Sequence, residues 1–184
     1  MSGIDQEIAP EFLGEIRAIF RSQKQMIDKT LAQLSNEELF WQHDPESNSI
    51  AIIIKHLGGN MISRWTDFLT TDGEKPNRNR DGEFITDKDS AESIKQLLAQ
   101  GYQVFFATID SITTDDLLKT ILIRNEPHTV IKALQRQVSH YGYHVGQIVY
   151  IAKQIKQEDW QTLSIARGAS NDYLVTAPKA QSSS

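Results

Sequence analysis

Apolar residues recur at steps of three and four positions along four long stretches of the chain, which predicts four amphipathic helices. These stretches cover about residues 8–34, 49–69, 89–111 and 134–155. The last stretch is the most regular, with apolar residues alternately four and three apart: Leu134, Val138, Tyr141, Val145, Ile148, Ala152 and Ile155. Four such helices joined by loops predict an all-α fold, a four-helix bundle.

Weaker signals lie between the helices. Two pairs have the spacing of a capping box and predict short helical turns: Ser35 with Glu38, and Thr113 with Asp116. The β-prone run Ile121–Ile123, followed by a proline turn, predicts a short hairpin before the last helix. The connection from Thr71 to Lys88 is too long for a plain loop, so we expect it to be functional or mobile. We expect one domain, residues 1–175, and a flexible polar tail, residues 176–184.

Composition narrows the class of protein. The net charge is −5, which argues against general nucleic-acid binding. The longest apolar run, Ile50–Ile54, is far too short for a membrane span, and the N-terminus has no secretory pattern, so we expect a cytoplasmic protein. The chain contains no cysteine, which excludes thiolate metal ligands and a cysteine nucleophile of its own.

Candidate chemistry begins on the fourth helix, where His140 and His144 are four residues apart and share one face. Two imidazoles at this spacing can bind one divalent metal ion. The alternative is a pair of hydrogen-bonded histidines at the edge of the core. Gln147 continues the same face of the helix. His43 and His128 lie near predicted helix starts or turns and are interpreted as surface or capping residues.

The second helix carries a line of polar residues on an otherwise apolar segment. Its members are His56, Asn60, Arg64 and Asp67, with Ser63 alongside. This line is either the solvent face of the helix or a functional line that points inward. If it points inward, His56 can supply a third ligand. Three histidines leave a metal position open, as in catalytic sites, and favour zinc or nickel, with iron, manganese or copper as alternatives.

Three stretches carry a resemblance to a known family: ESNSIAIIIKHLGGNMISRWTDFLTTDGEKPNRNRDGEF, SHYGYHVGQIVYIAKQI and WQTLSIARGAS. Together they resemble the DinB-like superfamily, in which a histidine on the second helix precedes HxxxH on the fourth. The late motif has Ala166 where the family pattern has proline. The resemblance implies an up-down-down-up bundle, a metal site formed by His56, His140 and His144, and a homodimer. Characterised relatives include bacillithiol S-transferases and a mycothiol-dependent maleylpyruvate isomerase.

Three functions are compatible with these residues. The first is a metal-dependent transferase that uses a low-molecular-weight thiol cosubstrate, with a cosubstrate carboxylate held by Arg64, Arg80 or Arg167. The second is a metal-dependent hydrolase, which the lack of HExxH and of a carboxylate on the fourth helix disfavours. The third is a non-catalytic protein that binds a metal or ligand. Asn60 and Gln147 join Arg64 as candidate catalytic residues, and the substrate is expected to be a small molecule.

Overall fold

The computed structural model describes residues 3–171, with side chains from residue 7 onward. Within that range four long helices form a bundle, and a two-stranded antiparallel hairpin precedes the last of them. The elements are α1 (Gly3–Leu31), α2 (Ile50–Trp65), α3 (Ala91–Ser111), β1 (Thr120–Ile123), β2 (Glu126–Thr129) and α4 (Val130–Lys156). The predicted fold class is therefore confirmed, including the hairpin. The predicted tail, residues 176–184, lies outside the described residues.

Side-chain caps fix where the helices begin. Ser49 is the N-cap of α2, and its Oγ accepts a hydrogen bond from Ile52 N at 3.2 Å. Ser90 caps α3 in the same way, so that helix begins two residues later than the predicted Asp89. Both predicted capping boxes are present, and each precedes a short 3-10 turn, at Glu38–Phe40 and Thr114–Asp116. Local hydrogen-bonding capacity thus determines the starts of these segments.

Contacts between the helices establish their directions. Lys55 pairs with Asp89 at the start of α2 and α3, and Thr108 donates to Trp65 O at their other end, so these helices are parallel. α1 is antiparallel to α3. Arg17 contacts Ile109 O near the end of α3, whereas Lys24, which lies further along α1, lies over the ring of Tyr102, which lies earlier in α3. α4 runs antiparallel to α2 and parallel to α1. The order is up-down-down-up, and the bundle consists of two closely packed pairs, α2 with α3 and α1 with α4.

The α2–α3 pair meets at two glycines. A Cβ atom built on Gly101 would lie 2.9 Å from Gly58 Cα and 3.0 Å from Gly58 O. Only glycine at these positions lets the two backbones approach this closely. The close approach helps to bury Met61, which lies beside the contact.

The long connection between α2 and α3 is anchored to the hairpin. Arg124 and Asn125 form the turn of the hairpin, with φ values of 57° and 62°, the geometry of a type I′ turn. Their backbone N–H groups donate to the Asp72 carboxylate at 2.9 and 2.7 Å. Gly73 N donates to Leu122 O at 2.8 Å, which continues this contact. The loop is therefore packed against the rest of the fold, and it carries buried Glu83 into the bundle.

No helix between residues 3 and 171 is long and apolar enough to cross a membrane.

Substitution at the glycine contact tests the packing of α2 on α3. We expect Gly101→Ala to lower the free energy of unfolding by about 1–3 kcal/mol, because the new methyl group overlaps backbone atoms that cannot move aside. Gly14→Ala is the matched control: it lies within α1 with nothing within 4 Å of the new Cβ. That variant should gain up to about 1 kcal/mol from better helix propensity. Urea unfolding measures both, and equal effects in the two variants would contradict the close approach.

Candidate metal centre

Three histidine side chains converge between α2 and α4. His140 Nε2 lies 3.3 Å from His56 Nε2 and 3.2 Å from His144 Nε2. All three ligand atoms lie within 4.8 Å of one another. Ligands bound tetrahedrally at about 2.0–2.1 Å are about 3.3–3.4 Å apart, so the first two spacings fit one transition-metal ion. The predicted ligand set is therefore brought together and could hold a metal ion.

The polar line of α2 points into the protein. His56 is 6% exposed, Asn60 5%, Ser63 3% and Arg64 4%, which excludes the solvent-face interpretation for these residues. Asp67 is the exception. α2 ends at Trp65, so Asp67 lies beyond the helix at a positive φ of 48° and is exposed. The prediction that Asp67 continues the line was wrong, because the helical spacing stops before it.

His56 is oriented by a carboxylate from the long loop. Its Nδ1 donates to Glu83 Oε2 at 2.8 Å, which leaves the Nε2 lone pair free to bind a metal ion. Arg78 holds the same carboxylate with two 2.8 Å hydrogen bonds, from Nε to Oε1 and from Nη2 to Oε2. A Cβ on Gly59 would overlap the Glu83 carboxylate, so glycine there permits the close approach.

Two glutamines flank the histidines of α4 symmetrically, as Gln137-x-x-His140 and His144-x-x-Gln147. His144 Nδ1 donates to Gln147 Oε1 at 2.8 Å, and Gln147 Nε2 donates to Tyr143 OH at 3.1 Å. Gln147 therefore orients a candidate ligand. Gln137 makes the equivalent contact with His140, with 2.9 Å between Gln137 Nε2 and His140 Nδ1. Residues three apart on one helix face make both contacts possible.

The Gln137 amide determines which nitrogen of His140 carries the proton. As oriented, its Nε2 donates to His140 Nδ1, which places the ring proton on Nε2. Metal binding through Nε2 requires the opposite tautomer, with Nδ1–H donating to an oxygen. Rotation of the Gln137 amide by 180° would present Oε1 to that proton. The same rotation would turn Gln137 Oε1 toward Asn60 Oδ1, so the Asn60 amide must rotate as well. The site therefore fits a metal ion when both amides rotate and the His140 proton moves from Nε2 to Nδ1.

Burial keeps the α4 histidines neutral. Desolvation, with the neighbouring rings of His144 and His56, lowers the pKa of His140 to about 3. Desolvation also lowers the pKa of His144, although the hydrogen bond to Gln147 opposes this. Burial alone would raise the pKa of Glu83, but the hydrogen bonds from His56 and Arg78 lower it below the ordinary value. Neutral imidazoles beside an ionised carboxylate are the protonation states that a metal site requires.

Asn60 lies behind the ligands. Its Oδ1 accepts from Gln137 Nε2 at 3.0 Å and from Tyr141 OH at 3.3 Å. Tyr141 in turn accepts from Trp65 Nε1 at 3.1 Å. This buried chain of hydrogen bonds connects α2 to α4 and positions Gln137. In this arrangement Asn60 supports the ligand set.

The three arginines predicted to hold a cosubstrate carboxylate do not all lie together. Arg64 and Arg80 line a cavity that also includes His56 and His140. Arg167 is exposed after α4 and is not among the residues that line this cavity.

Two further histidines were predicted on the surface. His43 is exposed, as expected. His128 is a correction, because it is only 5% exposed. The alternation of strand β2 turns its side chain inward, and neither ring nitrogen has a hydrogen-bond partner.

The residues that the predictions missed are Glu83, Arg78 and Gln137. Glu83 and Arg78 lie in the long loop, and nothing in local spacing shows that a loop carboxylate reaches a helix 27 residues earlier in the chain. Gln137 did have a signal. It stands three residues before His140, just as Gln147 stands three residues after His144.

The fold and the site together define a helical bundle with a candidate three-histidine metal centre between α2 and α4. The chain belongs to the family described as "Protein of unknown function (DUF1572)", which matches residues 7–169. None of the curated proteins matches the chain.

Removal of the Glu83 charge tests its role in orienting His56. We expect Glu83→Gln to weaken zinc affinity by about 10–100-fold, the usual effect of losing such an outer partner. A competition titration against a chromophoric chelator measures this. Glu11→Gln, at an exposed position of α1, is the control and should bind zinc like the unmodified protein. Equal affinity in the two variants would show that Glu83 does not support the ligand.

The low pKa of His140 predicts a pH dependence of stability. In the unfolded chain this histidine takes up a proton near its ordinary pKa of about 6.5, whereas in the folded protein it does so only near pH 3. The metal-free protein should therefore lose stability as the pH falls below about 6.5. Urea unfolding at pH 7 and pH 5 after EDTA treatment measures the loss. His140→Gln should show a smaller loss, and an unchanged loss would contradict the assignment.

Proposed function

We propose that this protein is a metal-dependent enzyme of the DinB-like superfamily that transfers a low-molecular-weight thiol to an electrophilic small molecule. The observation that carries the proposal is the convergence of three histidine Nε2 atoms at 3.2–3.3 Å spacings around His140. Among the described residues, His56, His140 and His144 form the only group that could hold a metal ion. Three protein ligands leave a coordination position for a substrate atom.

A metal ion held by these histidines would lower the pKa of a thiol bound beside it and so supply a thiolate nucleophile. The sulfur forms a bond to an electrophilic carbon, the leaving group departs with the electrons of the bond that breaks, and the thiol proton goes to solvent. Because the chain contains no cysteine, the thiol must come from a cosubstrate. Zinc and nickel are the metals we favour for an all-nitrogen ligand set.

The chain's own residues have supporting roles in this proposal. Glu83, Gln137 and Gln147 hold the Nδ1 atoms of the three ligands and fix the orientation of the rings. Phe84 packs beside His56, with 5.3 Å between ring centroids, and Tyr143 packs beside His144 at 5.1 Å. Both aromatic side chains are partly exposed, so they can contact a substrate that approaches the histidines.

A second cavity provides room for an apolar electrophile. It has a volume of about 470 Å³ and includes Gln147, the partner of His144. Trp41, Tyr150 and Ile151 contribute to its lining. A pocket of this size and mainly apolar character suits a small organic molecule.

Two features favour thiol transfer over hydrolysis. Hydrolysis at a metal centre is usually assisted by a group that accepts a proton from the metal-bound water, commonly a free carboxylate or histidine. Glu83 is the carboxylate that reaches the ligands in the described structure, and it is already bound to His56 and doubly to Arg78. A thiol ionises more readily than water and needs no such base. Assembly as a homodimer stays a prediction from the family resemblance.

Metal content is the first test. We expect the full-length protein purified without chelator to contain about one equivalent of a transition metal, and His140→Ala and His144→Ala to lose most of it. His43→Ala replaces an exposed histidine and should retain the metal. Elemental analysis of the unmodified protein and the three variants measures the metal content of each. Full metal content in both ligand variants would overturn the proposed centre.

Thiol binding is the second test. In cobalt-substituted protein, a thiol that binds the metal should produce a sulfur-to-cobalt absorption band. Bacillithiol, coenzyme A and glutathione are the probes, and conjugation to an electrophile such as monochlorobimane is the activity measured. If the metal binds but no thiol produces the band or is conjugated, thiol transfer is wrong. Metal-dependent cleavage of esters would then support hydrolysis.

A further inference from the structure

A cavity of about 230 Å³ beside the candidate metal centre is lined mainly by guanidinium groups. Its arginines are Arg64, Arg78, Arg80, Arg124 and Arg136, and its other lining residues are His56, Asn60, Gln137 and His140. This concentration of positive charge stands out in a chain whose net charge is −5. Two of the three candidate metal ligands form part of the same wall.

Carboxylates compensate the charge of two of these arginines. Arg78 pairs with Glu83 at 2.8 Å and with Glu74 at 3.3 Å, and Arg124 pairs with Glu74 at 3.2 Å. These ion pairs fix the wall of the cavity. They leave three arginines without a carboxylate partner in the described part of the chain: Arg64, Arg80 and Arg136.

Arg64 is the strongest indication of a missing ligand. Its side chain is 4% exposed, and its Nε and Nη1 atoms are buried without a hydrogen-bond partner. Gly73 packs directly over it, since a Cβ built on that glycine would lie 2.8 Å from Arg64 Cδ. Burial of an unpaired charge is costly, and a folded protein tolerates it where a ligand supplies the counter-charge. Burial and the charge of Arg136 lower the pKa of Arg64, which reflects the same unfavourable environment.

Arg80 and Arg136 differ from Arg64 because they are exposed. We therefore place Arg64 at the inner end of the cavity and the two exposed arginines at its rim. Guanidinium groups bind carboxylate and phosphate oxygens through paired hydrogen bonds, and three of them exceed the needs of a single negative charge. The volume is smaller than that of most ligand pockets, so it suits a compact anionic group better than a whole cosubstrate.

We propose that this cavity binds a doubly charged oxyanion, a phosphate monoester or a dicarboxylate, as the recognition group of the molecule on which the metal centre acts. The assignment to a substrate rests on the proposed function, whereas anion binding itself does not. Because His56 and His140 belong both to the cavity wall and to the ligand set, a bound anion would lie next to the metal. Arg64 would give specificity, and Arg80 and Arg136 would guide the anion inward.

Calorimetric titration of the full-length protein with inorganic phosphate and with succinate, at constant ionic strength, tests the proposal. At least one anion should bind, and Arg64→Met should weaken that binding by about tenfold or more. Arg136→Met at the exposed rim should weaken it as well, which keeps the test valid if the Arg64 variant does not fold. Arg21→Met removes an exposed arginine of α1 that pairs with Asp110, and it should bind like the unmodified protein.

Thermal unfolding supplies an independent readout. Without added anion, Arg64→Met should melt at a higher temperature than the unmodified protein, because it removes an uncompensated buried charge. Anion at a concentration near the Kd of the unmodified protein should raise the melting temperature of that protein more than that of Arg64→Met. A purely structural role for Arg64 predicts the reverse, a variant that melts lower and still responds to the anion.

The outcomes separate this inference from the proposed function. His144→Ala removes a metal ligand that does not line the cavity, so anion binding should survive in that variant. Anion binding without any metal content would overturn the metal centre and leave the cavity intact. Normal metal content with no binding of either anion, or equal binding by Arg64→Met, would overturn the cavity and leave the metal centre intact. Preference for phosphate over succinate identifies a phosphate monoester, and the reverse identifies a dicarboxylate.

Discussion

The hydrogen bond from His56 Nδ1 to Glu83 Oε2 joins the long loop to the middle of α2, and much of the site depends on it. Glu83 is buried, so its charge requires partners, and Arg78 supplies two further hydrogen bonds. Arg78 in turn contacts Glu74, which also binds Arg124 at the hairpin turn. A series of ion pairs thus connects a metal ligand candidate to a surface hairpin. The need to compensate one buried carboxylate therefore accounts for how the loop from Glu74 to Glu83 is held.

The rest of the core shows why this polar region needs such support. Around it the bundle is filled by apolar and aromatic side chains, among them Phe20, Phe105 and Trp65, which pack at ring-centroid distances of 4.8–5.0 Å. A polar atom in such a setting is costly unless it is hydrogen-bonded. Asn60 and Tyr141 meet this requirement through each other and through their neighbours. Arg64 and His128 do not, and with Gln23 Oε1 they are the places in the described residues where a buried side-chain polar atom has no hydrogen-bond partner.

Periodicity and capping chemistry were sufficient to predict the four helices, the hairpin and the pair His140 and His144, because these features depend on neighbours within one turn or one strand. The start of α2 at Ser49 is an example. The family resemblance, and not spacing, added His56 to that pair. Periodicity also placed Asn60 and Arg64 on the helix face that carries His56, but it could not show that this face points inward. Glu83 and the inward turn of His128 depend on contacts between distant parts of the chain. Spacing carries no information about such contacts, and the burial of Arg64 belongs to the same category.

Because the bundle is divided into two helix pairs, the position of the histidines bears on how the two pairs are held together. α2 packs tightly on α3 through Gly58 and Gly101, and α1 packs on α4, while α2 and α4 share a looser seam. His56 lies on one side of that seam, and His140 and His144 lie on the other. An ion bound by all three would act as a cross-link between two halves that otherwise adhere mainly through side-chain contacts. Occupancy of the site and rigidity of the bundle would then be coupled quantities, and the opening of the seam would set how fast the ion is exchanged.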